Sequence, residues 1–542
     1  MGTQVDRPSP PSTSPTTTHN DNAGNRNGTS GARRASADDA SGTSGTAARR
    51  VKRAQVSRAC ARCRRLQKGC SESRPCQRCI KTGLAEQCLA GGGGGGPPTS
   101  LQAPQPRYGT GTVTYELSTT SALVTSPTLS TLGLAGSAHT NFSRESFQRQ
   151  ADLLPGRVVD YCVERFYLRL NPTIPVVSPE YVTALRKRVA ESTEAGAEAY
   201  CVLVGICAMV LLQVEDPEAR QFADLVTAET NSAYGWVLLE EALAAHRHLA
   251  RRSNPSYENV LLTFFIYACH AALLHHSQAF FFLRETTTSY LLFKPEEWPD
   301  TTKILAERLF WVLVASERGH AIRYRRPITL QITSASPTIP SLSTTTPDGQ
   351  SLAGFCCLAA LFRPLDTSFI AVINSESISC PPSQGSLDEI EGDINAALNQ
   401  ASPSALHQTQ KANLRVTQLW LRIILWQVRL RLGHLSETAI AKSSHTYHYP
   451  LEVAKDLALS TRDLELEAMT VHGAGLTEKL FDIACVVVNV LARVPLGFER
   501  RSAEEDVRYL RSLITELPGG KMVYEKLMIK HLMAVLPGLV GH

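Results

Sequence analysis

The chain has 542 residues, enough for about two to four domains at roughly 150 residues each. Its 55 Lys and Arg stand against 50 Asp and Glu, a formal charge of only +5, which excludes a protein that is basic throughout. Hydrophobic residues make up 43%, enough for a large core, and the 14 cysteines are too dilute for a small disulfide scaffold.

Residues 1–48 contain only Met1 and Val5 as large apolar residues, among Ser, Thr, Pro, Gly and Asn. Such a tail cannot bury enough surface to offset its ordering entropy, and disorder is expected. The first twenty residues show no apolar h-region, and Asp6 stands where a myristoylation signal has Ser or Thr. The longest apolar runs, Cys201–Val214 and Val260–Cys269, fall short of the roughly 18 residues of a membrane span. The expectation is a soluble, intracellular protein with reduced thiols, without a membrane partner.

Between Arg49 and Ala90 the charge changes abruptly. Twelve basic residues face only Glu72 and Glu86, a net +10, so the remainder carries 43 basic against 48 acidic residues, a net −5. Gly91–Gly96 is an unbroken glycine run followed by Pro97 and Pro98, which predicts a flexible hinge. The whole of 91–150 reads as a Gly/Pro/Ser/Thr-rich linker, its weak alternation at Val113–Leu117 insufficient for a strand.

From residue 151 to 542 the character is helical. Asp152–Leu170, Glu198–Val214, Asn259–Phe282, Lys303–Tyr324, Lys411–Leu432 and Leu476–Ala492 are long, apolar and helix-like, with breaks at Ser336–Gly349 and Pro381–Gly385. Strand alternation is scarce and no repeat has a fixed period. The fold class is mostly α, with one large all-helical domain or two packed helical subdomains.

Six cysteines cluster at Cys60, Cys63, Cys70, Cys76, Cys79 and Cys88, as C-x2-C-x6-C-x5-C-x2-C-x8-C. A C-x2-C pair lets two thiolates face one metal from a tight turn. Six sulfurs satisfy two tetrahedral zinc ions only if one sulfur from each half is shared. Two zincs and six thiolates would lower the module from +10 to about +8, still strongly cationic. Disulfides fit poorly with the absence of a secretion signal. A single four-cysteine site would leave Cys70 and Cys88 unexplained. A segment this small has almost no apolar core, so metal should supply most of its folding free energy.

The stretches Arg58–Cys70 and Arg74–Cys79, with Pro75 before Cys76, resemble the fungal binuclear zinc-cluster transcription factors. The resemblance implies two zinc ions, with Cys60 and Cys76 bridging them. Cys63 and Cys70 would then complete one site, and Cys79 and Cys88 the other. It also implies that a short helix, here Arg64–Lys68, enters the major groove of double-stranded DNA at a CGG-type triplet. Arg64, Arg65, Gln67 and Lys68 are the candidate base contacts. Gln67 departs from the lysine usual there, and glutamine pairs more naturally with adenine than with guanine. Arg49, Arg50, Lys52 and Arg53 suit phosphate contacts or nuclear import. Many such proteins dimerise through a coiled coil just after the cluster. The glycine run offers no heptads, which points to a monomer or to dimerisation through the helical domain.

Glu307–Arg318 followed by Arg325-Arg-Pro327 is similar to the middle homology region of the same regulators, an aromatic helix ending in an acid–Arg pair and then Gly-Arg-Pro. Arg325 stands at the usual glycine. Leu361–Asn374, Leu414–Trp426, His448–Asp456 and Val471–Leu491 also look like stretches of fungal regulators of carbon-source use and of secondary-metabolite clusters. The residues themselves place Leu309, Phe310, Leu313, Val314 and Ile322 on an apolar helix face, with Arg308, Glu317 and Arg318 on its margins.

Other features read as structural. His270, His275 and His276 are expected as core or surface histidines of one apolar helix, and Asp388, Glu389, Glu391 and Asp393 as a solvated helix start or a small activation motif. Cys162, Cys201, Cys207, Cys269, Cys356, Cys357, Cys380 and Cys485 are expected as free thiols. No phosphate loop, zinc-protease motif or nucleophile elbow is present, so no enzyme is expected. The reading is a nuclear, sequence-specific regulator of RNA polymerase II genes, an activator of a metabolic or secondary-metabolite cluster. Co-regulators and a small-molecule effector are its further expected partners. The alternative is a zinc-stabilised co-regulator without DNA specificity.

Overall fold

A computed structural model describes residues 152–539 except 192, 250–254, 341–346, 376–380, 402–405, 439–441 and 498, together with Lys81. Among the described residues 74% are helical and none lies in a strand, so this part of the chain is mostly α.

In chain order the first helices are α1 (Gly156–Arg165, continued by a π turn at Phe166–Leu170), α2 (Pro179–Val189), α3 (Glu194–Gln213), α4 (Asn231–Leu249), α5 (Tyr257–Ala272) and α6 (His276–Leu292). Next come α7 (Asp300–Tyr324), α8 (Pro347–Phe362), α9 (Thr367–Ile373), α10 (Gln384–Ala396) and α11 (Gln408–Leu432). The last are α12 (Tyr449–Arg462), α13 (Leu466–Thr470), α14 (Ala474–Arg493), α15 (Glu499–Glu516) and α16 (Glu525–Val535). Polar side chains start several of them. The hydroxyls of Ser178, Thr193, Ser256 and Ser383 and the carboxylate of Asp366 each accept an otherwise unpaired N–H in the first turn of the helix that follows.

α3 packs on α1, α2, α4 and α5, while α11 and α14 pack on each other and gather α8, α10, α12, α15 and α16. α5 touches α14 and α7 touches α8. One continuous cluster of buried apolar side chains runs from Leu153 to Leu539, so the alternative of two helical subdomains gives way to a single core.

α3 is apolar on every face and long enough to cross a membrane, but 83% of its most apolar window is buried inside the fold. A helix that is hydrophobic all round belongs at the centre of a large core, which is where α3 sits. The helix expected over Asn259–Phe282 is instead two, α5 and α6. The chain reverses at Leu273–His275, where Leu274 takes a left-handed φ of 60° and the His275 N–H bonds to His270 O at 2.9 Å. The reversal lays α6 back against α5, and that packing outweighs the helix propensity of a segment without Gly or Pro.

Close approach of α3 to α5 depends on Gly205. A Cβ there would lie 2.8 Å from Phe265 Cβ. Gly205→Val is expected to destabilise the fold by about 1–3 kcal/mol through overpacking, read as a lower urea midpoint with an unchanged m-value.

Candidate functional site

The six cysteines Cys60, Cys63, Cys70, Cys76, Cys79 and Cys88 lie outside the described residues, as do Arg64, Arg65, Gln67, Lys68, Arg49, Arg50, Lys52 and Arg53. Cys380 does too. The described residues carry the second half of the sequence pattern and a cavity that the sequence reading did not find.

Glu317 and Arg318 are not on the margin of α7. They are 2% and 1% exposed. One carboxylate oxygen of Glu317 accepts the Thr329 N–H at 2.9 Å and the Thr329 hydroxyl at 2.6 Å, and the other accepts the Leu330 N–H at 2.9 Å. Arg284 of α6 supplies the countercharge at 2.8 Å. Arg318 donates to Leu365 O at 2.7 Å and to Leu330 O at 3.4 Å. Burial draws its pKa down to about 10 against the pull of Glu317, so it stays charged at neutral pH. The acid–Arg pair therefore pins the segment after α7 by its backbone. Arg325 takes the left-handed φ of 53° that ends α7 and donates to Ile373 O at 2.8 Å. Arg308, on the same helix, is partly buried, as a margin residue should be.

One turn beyond Arg318, Arg323 reaches α14. Its guanidinium lies 3.1 Å from Glu478 Oε2 and also pairs with Asp482. Glu478 accepts the hydroxyls of Tyr324, at 2.6 Å, and of Tyr524. Trp420 of α11 donates its indole N–H to Asp482 at 3.1 Å. Burial alone would raise the Glu478 pKa, but Arg323 and the two phenols outweigh it and hold the carboxyl below its ordinary value. Asp482, with burial dominant, is pushed up. Arg323 resists the opposite pull of burial because two carboxylates flank it, and its pKa rises.

This network forms one wall of a cavity of about 270 Å³. Met209, Phe264, Trp311, Phe355 and Phe362 supply apolar surface, and His276, His320, His472 and Lys479 supply polar groups. His276 shares a hydrogen bond with the Tyr324 hydroxyl at 2.8 Å, and His472 bonds to Thr409 O at 2.7 Å. Lys479 donates to the Thr417 hydroxyl at 2.7 Å and sits 5.8 Å from the Trp420 ring centre. Burial lowers its pKa to about 8, with Glu478 pulling the other way, so it is mostly protonated at neutral pH. Sequence reading treated Leu476–Ala492 as an apolar helix. The missed signal is Glu478-Lys479 and Asp482, three charges within two turns of that run.

The expected solvated acids also prove different. Arg429, its side chain fully buried, lies 2.7 Å from Asp388 and 2.9 Å from Glu391. His445 and Lys442 complete the group around Asp388, at 2.8 and 3.1 Å. Asp388, Glu391 and His445 are close enough to share a metal ion, but the guanidinium already holds the position of the cation. Only Glu389 and Asp393 are exposed, as a solvated helix start would have them. His270 stacks on Phe282 with ring centres 5.5 Å apart, and His275 occupies the α5–α6 turn. Seven of the eight scattered cysteines are buried free thiols, as expected.

Comparison with known proteins gives the class. Over 357 residues the chain is 21% identical to a maltose fermentation regulatory protein of Saccharomyces cerevisiae, covering 63% of this chain and 70% of that one. Over 210 residues it is 22% identical to a respiratory transcription factor of the same yeast, covering 39% and 42%. A 34-residue stretch is 56% identical to a transcription activator of gluconeogenesis of Mycosarcoma maydis, 6% of this chain and 5% of that one. No family model matches, and no solved structure matches. The chain is thus related to fungal transcription regulators over a large part of its length, and these relatives are not enzymes.

The buried histidines set an acid limit to stability. Burial holds His270, His320 and His472 near pKa 4, against 6.5 for the free group. Between those values the unfolded chain binds protons that the folded chain refuses, so stability falls as pH falls from 6.5 to about 4, by at most about 1.4 kcal/mol per pH unit for each histidine. Urea unfolding across this range should show that decline, and His320→Gln should make it shallower.

Proposed function

We propose that the protein is a nuclear, sequence-specific DNA-binding regulator of RNA polymerase II genes, an activator of a fungal metabolic or secondary-metabolite gene cluster. The observation that carries this reading is the six-cysteine spacing inside a module of net +10, in a chain related to fungal transcription regulators. The 34-residue match to a transcription activator is on the scale of the Cys60–Cys88 module.

Six thiolates suit two zinc ions with two shared sulfurs, and the resemblance to zinc-cluster regulators implies that Cys60 and Cys76 bridge while Cys63, Cys70, Cys79 and Cys88 each serve one ion. Zinc supplies folding free energy and no chemistry beyond it. Arg64, Arg65, Gln67 and Lys68 then face base edges of a short GC-rich triplet, and Arg49, Arg50, Lys52 and Arg53 neutralise phosphates or direct nuclear import. The helical body is the regulatory part. It receives a signal from a small molecule or a co-regulator, and it is the route to any dimer, since the glycine run after the module carries no heptads.

Two outcomes are expected. In gel shifts with the full chain, a chelator abolishes binding, added zinc restores it, and affinity falls steeply with salt. Binding without zinc, or without preference among sequences, contradicts the reading and favours a zinc-stabilised co-regulator. Second, Gln67→Lys shifts selected sites toward guanine at one position of the triplet, by about 1–3 kcal/mol of discrimination, as read by selection of bound oligonucleotides.

A further inference from the structure

The cavity lined by α3, α5, α6, α7, α8, α11 and α14 has one cation without an ion pair among the described residues. Arg323 is committed to Glu478 and Asp482, and Arg169 at the edge is paired with Glu467. Lys479 has no ion pair among the described residues. Its ammonium has three N–H donors, and the Thr417 hydroxyl takes one. Glu478, its neighbour in the chain, turns its carboxylate to Tyr324, Tyr524 and Arg323. Lys479 lines the cavity, and a buried ammonium with spare donors is costly to the fold unless something else accepts those hydrogen bonds.

The rest of the lining is mostly apolar or aromatic, and the three histidines on it are kept neutral by burial. At about 270 Å³ the space lies near the lower end of small-molecule sites, roughly 300–1,000 Å³. It is walled by helices far apart in sequence, from Met209 on α3 to Lys479 on α14, so an occupant would join them.

We propose that this cavity is an effector site for a small organic carboxylate with an apolar body, the carboxylate held by Lys479 Nζ and the body by Met209, Phe355 and Trp311. The proposal deepens the reading of the helical body as the part that receives a signal. The carboxylate takes the two spare donors of the ammonium and Trp420 faces the same charge. Glu478 stays with its own partners.

The test uses the full chain with benzoate and its neutral counterpart benzamide, in thermal unfolding at fixed ionic strength. Benzoate is expected to raise Tm by about 2 °C at saturation and benzamide to leave it unchanged. Lys479→Arg keeps the benzoate rise and Lys479→Met loses it. Equal shifts with both probes, no shift with either, or a rise retained in Lys479→Met overturns the proposal. Photolabelling of the unmodified chain with para-azidobenzoate needs no variant. Labelled peptides from the helices that line the cavity, α3, α5, α6, α7, α8, α11 or α14, support the site, and labels confined to helices that do not line it overturn it. Both readouts concern the helical body alone, so their failure leaves zinc-dependent DNA binding standing, and loss of that binding leaves this site standing.

Discussion

Arg323 leaves α7 near its end and lies between Glu478 and Asp482 of α14, two helices that are more than 150 residues apart in sequence. It adds a bond to the Glu478 backbone carbonyl at 2.9 Å. Buried ion pairs add little net stability over apolar packing, but loss of one partner strands a buried charge at a cost of about 3–5 kcal/mol. The trio therefore acts as a geometric constraint. It fixes α14 against α7, orients the phenols of Tyr324 and Tyr524, and sets the wall behind which the cavity opens.

The same economy governs α7 one turn before Arg323. Glu317 and Arg318 spend their hydrogen bonds on the backbone of Thr329, Leu330 and Leu365, groups that would otherwise be unpaired inside the core. That explains why an acid–Arg pair should precede a turn at this point. The turn itself needs a left-handed residue, and Arg325 meets the need with a side chain anchored on Ile373 O, where glycine would meet it with backbone freedom alone. Arg429 between Asp388 and Glu391 repeats the device on α11. Three buried arginine–carboxylate clusters thus tie α7 to α14, α7 to α6 and α11 to α10.

Much of the helical layout was legible in the sequence. Lys303–Tyr324, Lys411–Leu432 and Leu476–Ala492 fall within three residues of α7, α11 and α14, because long apolar runs and flanking breaks leave little choice. The break at Leu273–His275 was not legible, since no Gly or Pro marks it and only the packing of α6 on α5 demands it. Nor were the buried charges. Charge alone suggests solvent, and the partners of Glu317 and Asp388 come from a distant loop and helix that no local pattern reveals. The cavity stayed hidden for the same reason, since its walls come from seven helices. The proposed zinc module is the reverse case, since it rests on the cysteine spacing alone.

The account divides the chain into a small module built by metal and a helical body that stands on its own apolar core. Zinc counted by native mass spectrometry on the full chain, with far-UV circular dichroism before and after chelation, tests that division most directly. The account predicts two zinc ions per chain, lost on chelation with the helical signal almost unchanged. A different zinc count, or collapse of the helical signal together with the metal, would contradict it.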